Sequence, residues 1–267
     1  VASGPTVSQG SQAPAYEVYA IRYGMLRNFP TRSLVAGADS SRRSDVALAV
    51  WLLKGPGERT VLVDAGFYRD EFIQSWKPSD FRRPSEALEA FGVSPASITD
   101  IVVTHVHWDH LDGADLFPNA RVWIQRAEFE YYVSPDGKPL QRGIAAVDAA
   151  MLGQLRAAGR LTLVEGDAQE IIPGIRVYTG GRHTYASQYA TVRTRAGAVV
   201  IASDNLYMYE NLDRHVPIGS TLDAVSNLAA QDRMVTLAGA RRLIVPGHDP
   251  EVFTRFPAPR AGVARID

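Results

Sequence analysis

Residues Thr104-His105-Val106-His107-Trp108-Asp109-His110 place three of the chain's six histidines and an aspartate directly behind the apolar run Ile101-Val102-Val103. A short β-branched run of this kind reads as a buried strand. Residues two apart on a strand face the same way, so His105 and His107 project together from its C-terminal end. Asp109 and His110 open the next helix and face a second point nearby. A lone histidine reads as packing, whereas three with a carboxylate at one strand end read as metal ligands. Three protein groups satisfy one divalent ion, so the surplus predicts two ions about 3.5–4 Å apart. The fold must therefore be layered, with a strand end delivering this segment to one site.

The remaining ligands need comparable settings, and three residues have them. His183 follows Val177-Tyr178-Thr179-Gly180-Gly181, Asp204 follows Val199-Val200-Ile201-Ala202-Ser203, and His248 follows Leu243-Ile244-Val245-Pro246-Gly247. Backbone beyond a strand end is free of the ladder and can converge. Asp64, behind Val61-Leu62-Val63, reads as a carboxylate that orients a ligand histidine. His215 has no such setting and reads as a surface residue. The chain has no cysteine, which removes disulfides, thiolate metal sites and a cysteine nucleophile.

Strands are expected at 17–23, 45–53, 60–64, 100–104, 121–125, 161–165, 175–179, 188–194, 198–202 and 242–245. Helices are expected at 84–91, 110–117, 127–132, 144–158 and 221–240, the last with Leu222, Val225, Leu228 and Ala229 as its apolar stripe. Segments 68–83 and 134–143 read as long loops, and 36–43 as a connection or a lid. Strand clusters followed by helices in both halves imply two packed sheets with helices outside. Residues 1–15, small and uncharged, read as a disordered tail ahead of one folded domain at 16–267. The N-terminal Val suits a processed protein, so a periplasmic or secreted location is favoured over a cytoplasmic one. A net charge of −1 with 21% charged residues opposes nucleic-acid binding. The longest apolar run, 46–53, is far short of the roughly 20 residues of a membrane helix.

The set Val63-Asp64-Ala65-Gly66, His105 to His110, His183, Asp204 and Gly247-His248-Asp249 resembles the metallo-β-lactamase superfamily over about residues 16–256. The resemblance implies a four-layer αββα sandwich. It also implies a first metal on His105, His107 and His183, a second on Asp109, His110 and His248, and Asp204 between them. One departure is visible: the family's Thr-Pro-Gly-His is here Thr179-Gly180-Gly181-Arg182-His183, one residue longer and without proline. The absent cysteine argues against one class of β-lactamase, the carboxylate candidate Asp204 against another, and His107 against diiron relatives that carry Glu there. Within the superfamily, Asp204-Asn205-Leu206-Tyr207, Glu210-Asn211, Gly24-Met25-Leu26, the segment Gln125-Arg126-Ala127-Glu128-Phe129-Glu130, Glu165-Gly166-Asp167 and Pro173-Gly174 are similar to N-acyl-homoserine lactone lactonases.

That resemblance implies quorum-quenching lactone opening by a hydroxide bridging two divalent ions, with zinc the first choice and iron, cobalt or manganese also accepted by an all-N/O site. Tyr207 would stabilise the oxyanion and Asp109 would relay the proton to the leaving alkoxide. Met25, Phe29, Phe67 and Trp108 are expected to bind the acyl chain, with Leu26, Trp76 and Phe81 as further candidates. The expected partner is a small-molecule lactone or ester, and a homodimer is compatible. Rival readings are a hydrolase of another ester, thioester or phosphoester, glyoxalase-type chemistry included, and a binding protein without turnover.

Overall fold

The computed structural model describes residues 14–267. The tail expected over 1–15 falls outside them, apart from Pro14 and Ala15. The first sheet takes β1 (Glu17–Pro30), β2 (Arg43–Lys54), β3 (Thr60–Val63), β4 (Asp100–Val102), β5 (Arg121–Gln125) and β6 (Leu161–Val164). The second takes β7 (Gln169–Ile172), β8 (Ile175–Thr179), β9 (Gln188–Thr194), β10 (Gly197–Ile201) and β11 (Ile244–Val245). The chain then returns to the first sheet as β12 (Val263–Arg265), giving orders β12-β1-β2-β3-β4-β5-β6 and β11-β10-β9-β8-β7. Helices are α1 (Asp70–Trp76), α2 (Pro84–Ala90), α3 (Trp108–Leu111), α4 (Arg126–Tyr132), α5 (Ala146–Ala157), α6 (Tyr209–Arg214), α7 (Ala224–Leu237) and α8 (Val252–Arg255).

Strand alternation produces the layers, because successive side chains leave opposite faces. Along β2, Trp51 and Leu53 enter the core between the sheets, while Leu48, Val50 and Leu52 pack outward against the helical layer of α2 and α5. Along β10, Val199 and Ile201 meet that same central core, while Val200 packs outward with Leu212 of α6 and Met234 of α7. Each fully buried Val or Leu contributes on the order of 1.5–3 kcal/mol, so both faces of every central strand favour the αββα sandwich. Among the described residues no helix is long and apolar enough to cross a membrane.

Several elements differ from their expected extents. β1 continues to Pro30 through register shifts between Arg22 and Gly24 and between Leu26 and Phe29. β4 ends at Val102, so His105 and His107 lie in the loop beyond it and strand alternation does not place them. The expected helix 110–117 begins earlier, as α3, and tightens into a 3-10 turn over Asp112–Leu116. The segment 68–83 holds α1, and β7, β12, α6 and α8 are further elements that the apolar patterning did not signal.

The stripe expected on the helix at 221–240 is corrected most sharply. Leu222 precedes α7 and is 62% exposed, and Val225 is 78% exposed, whereas the buried face carries Asn227, Ala230, Gln231 and Met234. Burying amides is favourable here because they satisfy loop backbone that would otherwise be orphaned. Asn227 Nδ2 donates to Asn205 O at 3.0 Å and Gly181 O at 3.3 Å, its Oδ1 accepts from Ile218 N–H, and Gln231 Nε2 donates to Val216 O. A hydrophobic stripe could not hold these turns.

Candidate metal centre

Every residue of the centre lies just past the C-terminal end of a strand. β3 and β4 are parallel, which sets Asp64 beside the loop carrying His105 and His107. β10 and β11 are parallel, which sets the Asp204 turn beside His248. Gly247 is required at this seam, since a Cβ there would lie 2.7 Å from the Ser203 backbone. Gln188 at the start of β9 joins the two sheet ends, its N–H donating to Thr104 O at 2.9 Å and its Nε2 to Val103 O at 2.8 Å.

The longer, proline-free loop before His183 reaches the site through left-handed backbone at Gly181 and Arg182, φ +82° and +42°. A side chain at Gly181 would collide with Asn205. Thr221 Oγ1 and Asn227 Nδ2 donate to the Gly181 carbonyl, and the Leu222 N–H donates to Arg182 O. His183 Nε2 thereby comes within 2.9 Å of His107 Nδ1.

Two donor groups result. In the first, His105 Nε2 lies 3.1 Å from His107 Nδ1, and Asp204 Oδ2 lies 3.7 Å from His105 Nε2 and 3.3 Å from His183 Nε2. In the second, Asp204 Oδ1 lies 3.0 Å from His110 Nε2 and 2.9 Å from His248 Nε2, with Asp109 Oδ2 3.5 and 3.7 Å from the same nitrogens. Ligands about 2.0–2.1 Å from a tetrahedral ion stand roughly 3.3 Å apart, which is the spacing in both groups. His110 Nε2 and Asp204 Oδ1 are buried without a hydrogen-bond partner, as atoms reserved for a cation would be. Both groups therefore fit divalent metals, and Asp204 faces the first with Oδ2 and the second with Oδ1.

At His105, His110, His183 and His248 the other imidazole nitrogen is occupied, which aims the ligating one inward. His110 Nδ1–H donates to Asp64 Oδ2 at 2.8 Å, His183 Nδ1–H to Ser220 O at 2.8 Å and His248 Nδ1–H to Ala47 O at 2.9 Å. His105 Nδ1 pairs with Thr104 Oγ1 at 3.0 Å. Asp64 also accepts from Thr104 N–H, Thr104 Oγ1 and Ser203 Oγ, in the orienting position expected of it. Exposed His215 sits apart from both groups, 3.0 Å from Asp232.

Electrostatics separate the histidines. Burial holds the His105 pKa well below the usual range and brings His183 down to about 4, so both are neutral donors at neutral pH. Burial also opposes charge on His110, but Asp204, Asp109 and Asp64 override it and hold its pKa well above the ordinary value. Burial works against the Asp204 carboxylate too, and His110 and His248 more than compensate, keeping it well below the usual range. Burial and the Asp204 charge raise the Tyr207 phenol, whose hydroxyl lies 3.3 Å from His183 Nδ1.

Above the donors opens a cavity of about 270 Å³, lined by His107, Asp109, His183, Asp204, Tyr207 and His248 at its floor. Its apolar wall is Leu26, Phe29, Leu34, Val46, Trp76 and Trp108. Of the expected acyl-chain residues, Phe29 and Trp108 line this wall. Met25 and Phe67 do not, which corrects their assignment. Met25 is buried on the other side of β1 from Leu26, and Phe67 is sealed behind the wall with its ring 4.6 Å from Trp108. Phe81 stands in the same supporting layer, 5.1 Å from Phe67. Leu34 and Val46 carry no sequence signal beyond ordinary strand and turn apolarity. Trp76 stacks on Trp108 at 5.0 Å and is 42% exposed at the rim.

A two-sheet αββα sandwich with paired His/Asp donor groups at its strand ends is the architecture of a metal-dependent hydrolase. The model of the metallo-beta-lactamase superfamily matches residues 45–248, and the chain belongs to that family. It is a lactonase-like, metal-dependent hydrolase. It is 26% identical to an N-acyl homoserine lactonase of Bacillus sp over 220 residues, 76% of this chain and 82% of the relative. It is 26% identical over 221 residues, with the same coverage, to N-acyl homoserine lactonase AiiA of Bacillus thuringiensis subsp. kurstaki. The fold matches a quorum-quenching N-acyl homoserine lactone lactonase with a TM-score of 0.71 at 22% identity, over 90% of this chain and 94% of that one. It also matches AidC, a dizinc quorum-quenching lactonase, with a TM-score of 0.66 at 20% identity, over 96% and 95%.

Proposed function

We propose that this hydrolase opens the ring of N-acyl homoserine lactones and that zinc fills both donor groups. The observation that carries the reading is the placement of two donor groups sharing Asp204, with the Tyr207 phenol beside them, at the floor of a cavity with an apolar wall. A polar lactone head fits the floor and an acyl chain the wall, and the curated relatives named above are lactonases of this substrate class. Two bound divalent ions supply a water acidic enough to act as nucleophile near neutral pH and a positive centre for the carbonyl oxygen.

The chain's own residues do the rest. Tyr207, kept protonated by its setting, donates to the carbonyl oxygen as negative charge develops there. The Asp109 carboxylate, at the cavity floor, would take the proton released on attack through the oxygen not aimed at the second group and return it to the ring oxygen as the acyl C–O bond breaks. The product is an N-acyl homoserine. Trp108 and Phe29 exclude water from the acyl side and hold the ring over the donors. The test is a rate panel on N-acyl homoserine lactones of increasing chain length, an aryl ester, a thioester and a phosphotriester. Fastest turnover is expected on the lactones, and negligible lactone turnover beside fast turnover of another substrate would overturn the proposal.

A further inference from the structure

We propose that Glu128 is a positioning residue for the first donor group, and that its buried carboxylate sets that group's affinity for its metal. The inference rests on the metal-centre reading above. Glu128 lies on α4, away from every donor, and is fully buried. No ion pair to it is present among the described residues. Such a charge is costly to bury unless hydrogen bonds replace its hydration. Glu128 Oε1 accepts from Val106 N–H at 3.3 Å and from the Thr184 hydroxyl at 2.5 Å, and Oε2 accepts from Ala186 N–H at 2.7 Å.

The identity of these donors gives the bonds their meaning. Val106 stands between His105 and His107, while Thr184 and Ala186 follow His183. One carboxylate therefore ties together the two loops that deliver all three histidines of the first group. Neither loop holds itself: the first has left the ladder after Val102, and the second runs through left-handed Gly180, Gly181 and Arg182 without a proline. Thr221 and Asn227 restrain the near side of the second loop, and Glu128 restrains the far side. Asp109, His110 and His248 receive none of these bonds, since Asp64 and Ala47 O orient the histidines of that group. The effect of Glu128 is accordingly selective.

Glu128→Gln keeps the shape but turns an amide N–H₂ toward at least one donor. Zinc binding to the reconstituted protein, read by competition with a chromophoric chelator, is expected to show one of two equivalents weakened about 10- to 100-fold and the other unchanged. The cobalt-substituted variant should lose intensity in the visible bands of one centre only. Thr184→Val, which removes a single donor and leaves the carboxylate, should weaken the same equivalent less, and it decides the matter if Glu128→Gln does not fold. Unchanged affinity at both centres, or equal loss at both, would overturn the proposal. A wild-type protein that binds no zinc would instead overturn the metal-centre reading on which it rests.

Discussion

Asp64→Asn perturbs the orientation of His110, the one ligand histidine whose ring Asp64 touches directly. Asp64 has φ +61°, a left-handed conformation that Asp and Asn share among side-chain-bearing residues, so the change adds no backbone strain. Its carboxylate accepts four hydrogen bonds, from Thr104 N–H, Thr104 Oγ1, Ser203 Oγ and His110 Nδ1–H. The amide keeps its oxygen on Thr104 N–H, which cannot turn, and so presents N–H₂ to the other three. Of its two hydrogens, Ser203 Oγ turns to accept one, Thr104 Oγ1 donates to Ser203 Oγ instead, and the second hydrogen faces His110. His110 Nδ1 can accept only by moving its proton to Nε2, the atom aimed at Asp204 Oδ1 from 3.0 Å. The second donor group then loses a lone pair and becomes two-coordinate plus Asp204. Losing an orienting partner of this kind costs about 10- to 100-fold in metal affinity, or roughly 1.4–2.7 kcal/mol. Chelator competition should show one weakened zinc equivalent, while circular dichroism of the metal-free protein stays as in wild type. Two equivalents of unchanged affinity would refute the tautomer argument.

Three further outcomes follow from the same geometry. Tyr207→Phe should retain both zinc equivalents and lower kcat on lactones by up to about 10²-fold, the effect of losing one oxyanion donor; an unchanged kcat would remove the phenol from the reaction. Trp76→Ala should raise KM for long-chain lactones about fivefold, on the order of 1 kcal/mol of lost apolar contact at the rim, and leave short-chain KM alone; steady-state kinetics across chain lengths reads this. Burial and the neighbouring Asp112 raise the Asp148 pKa from 3.8 to about 8, so the folded protein keeps a proton that the unfolded chain releases. Stability from this group is full below about pH 4 and declines as pH rises through about 8. Asp148→Asn should therefore raise Tm at pH 8 and flatten the Tm profile between those values, and an unaltered profile would refute the retained proton on Asp148.

What was legible in the sequence follows from how local each signal is. The seven residues that the structure gathers at the candidate centre could be read together because four share one segment and the others each end a β-branched run, so chemistry and punctuation coincide. The strands buried on both faces were legible for the same reason. β12 was not: Val263–Arg265 is too short for a period and exists only because it pairs with Tyr19–Ile21 across the whole chain. The buried face of α7 was misread because Asn227 and Gln231 look like solvent-facing residues until the loops they bond are placed beside them. Met25 falls outside the cavity lining because the bulges in β1 decide which of its side chains reach the cavity, and a bulge leaves no hydrophobic pattern; Phe67, beyond β3, is covered by Trp108, a contact between distant side chains. Glu128 was visible only as part of a familiar segment, since its partners lie 22 to 58 residues away.

The register shifts in β1 also bear on how this enzyme can change. Before Arg22 the strand supplies the central core, with Val18 and Ala20 fully enclosed. Beyond Leu26 it supplies the cavity wall, with Phe29 at its end. One strand thus carries two sets of demands, separated by a bulge that isolates each from the other's packing. Substitutions at half-buried Phe29 remodel the cavity wall while leaving the seam between the sheets intact, so the shape of this cavity can drift at less expense in folding stability than a change in the core.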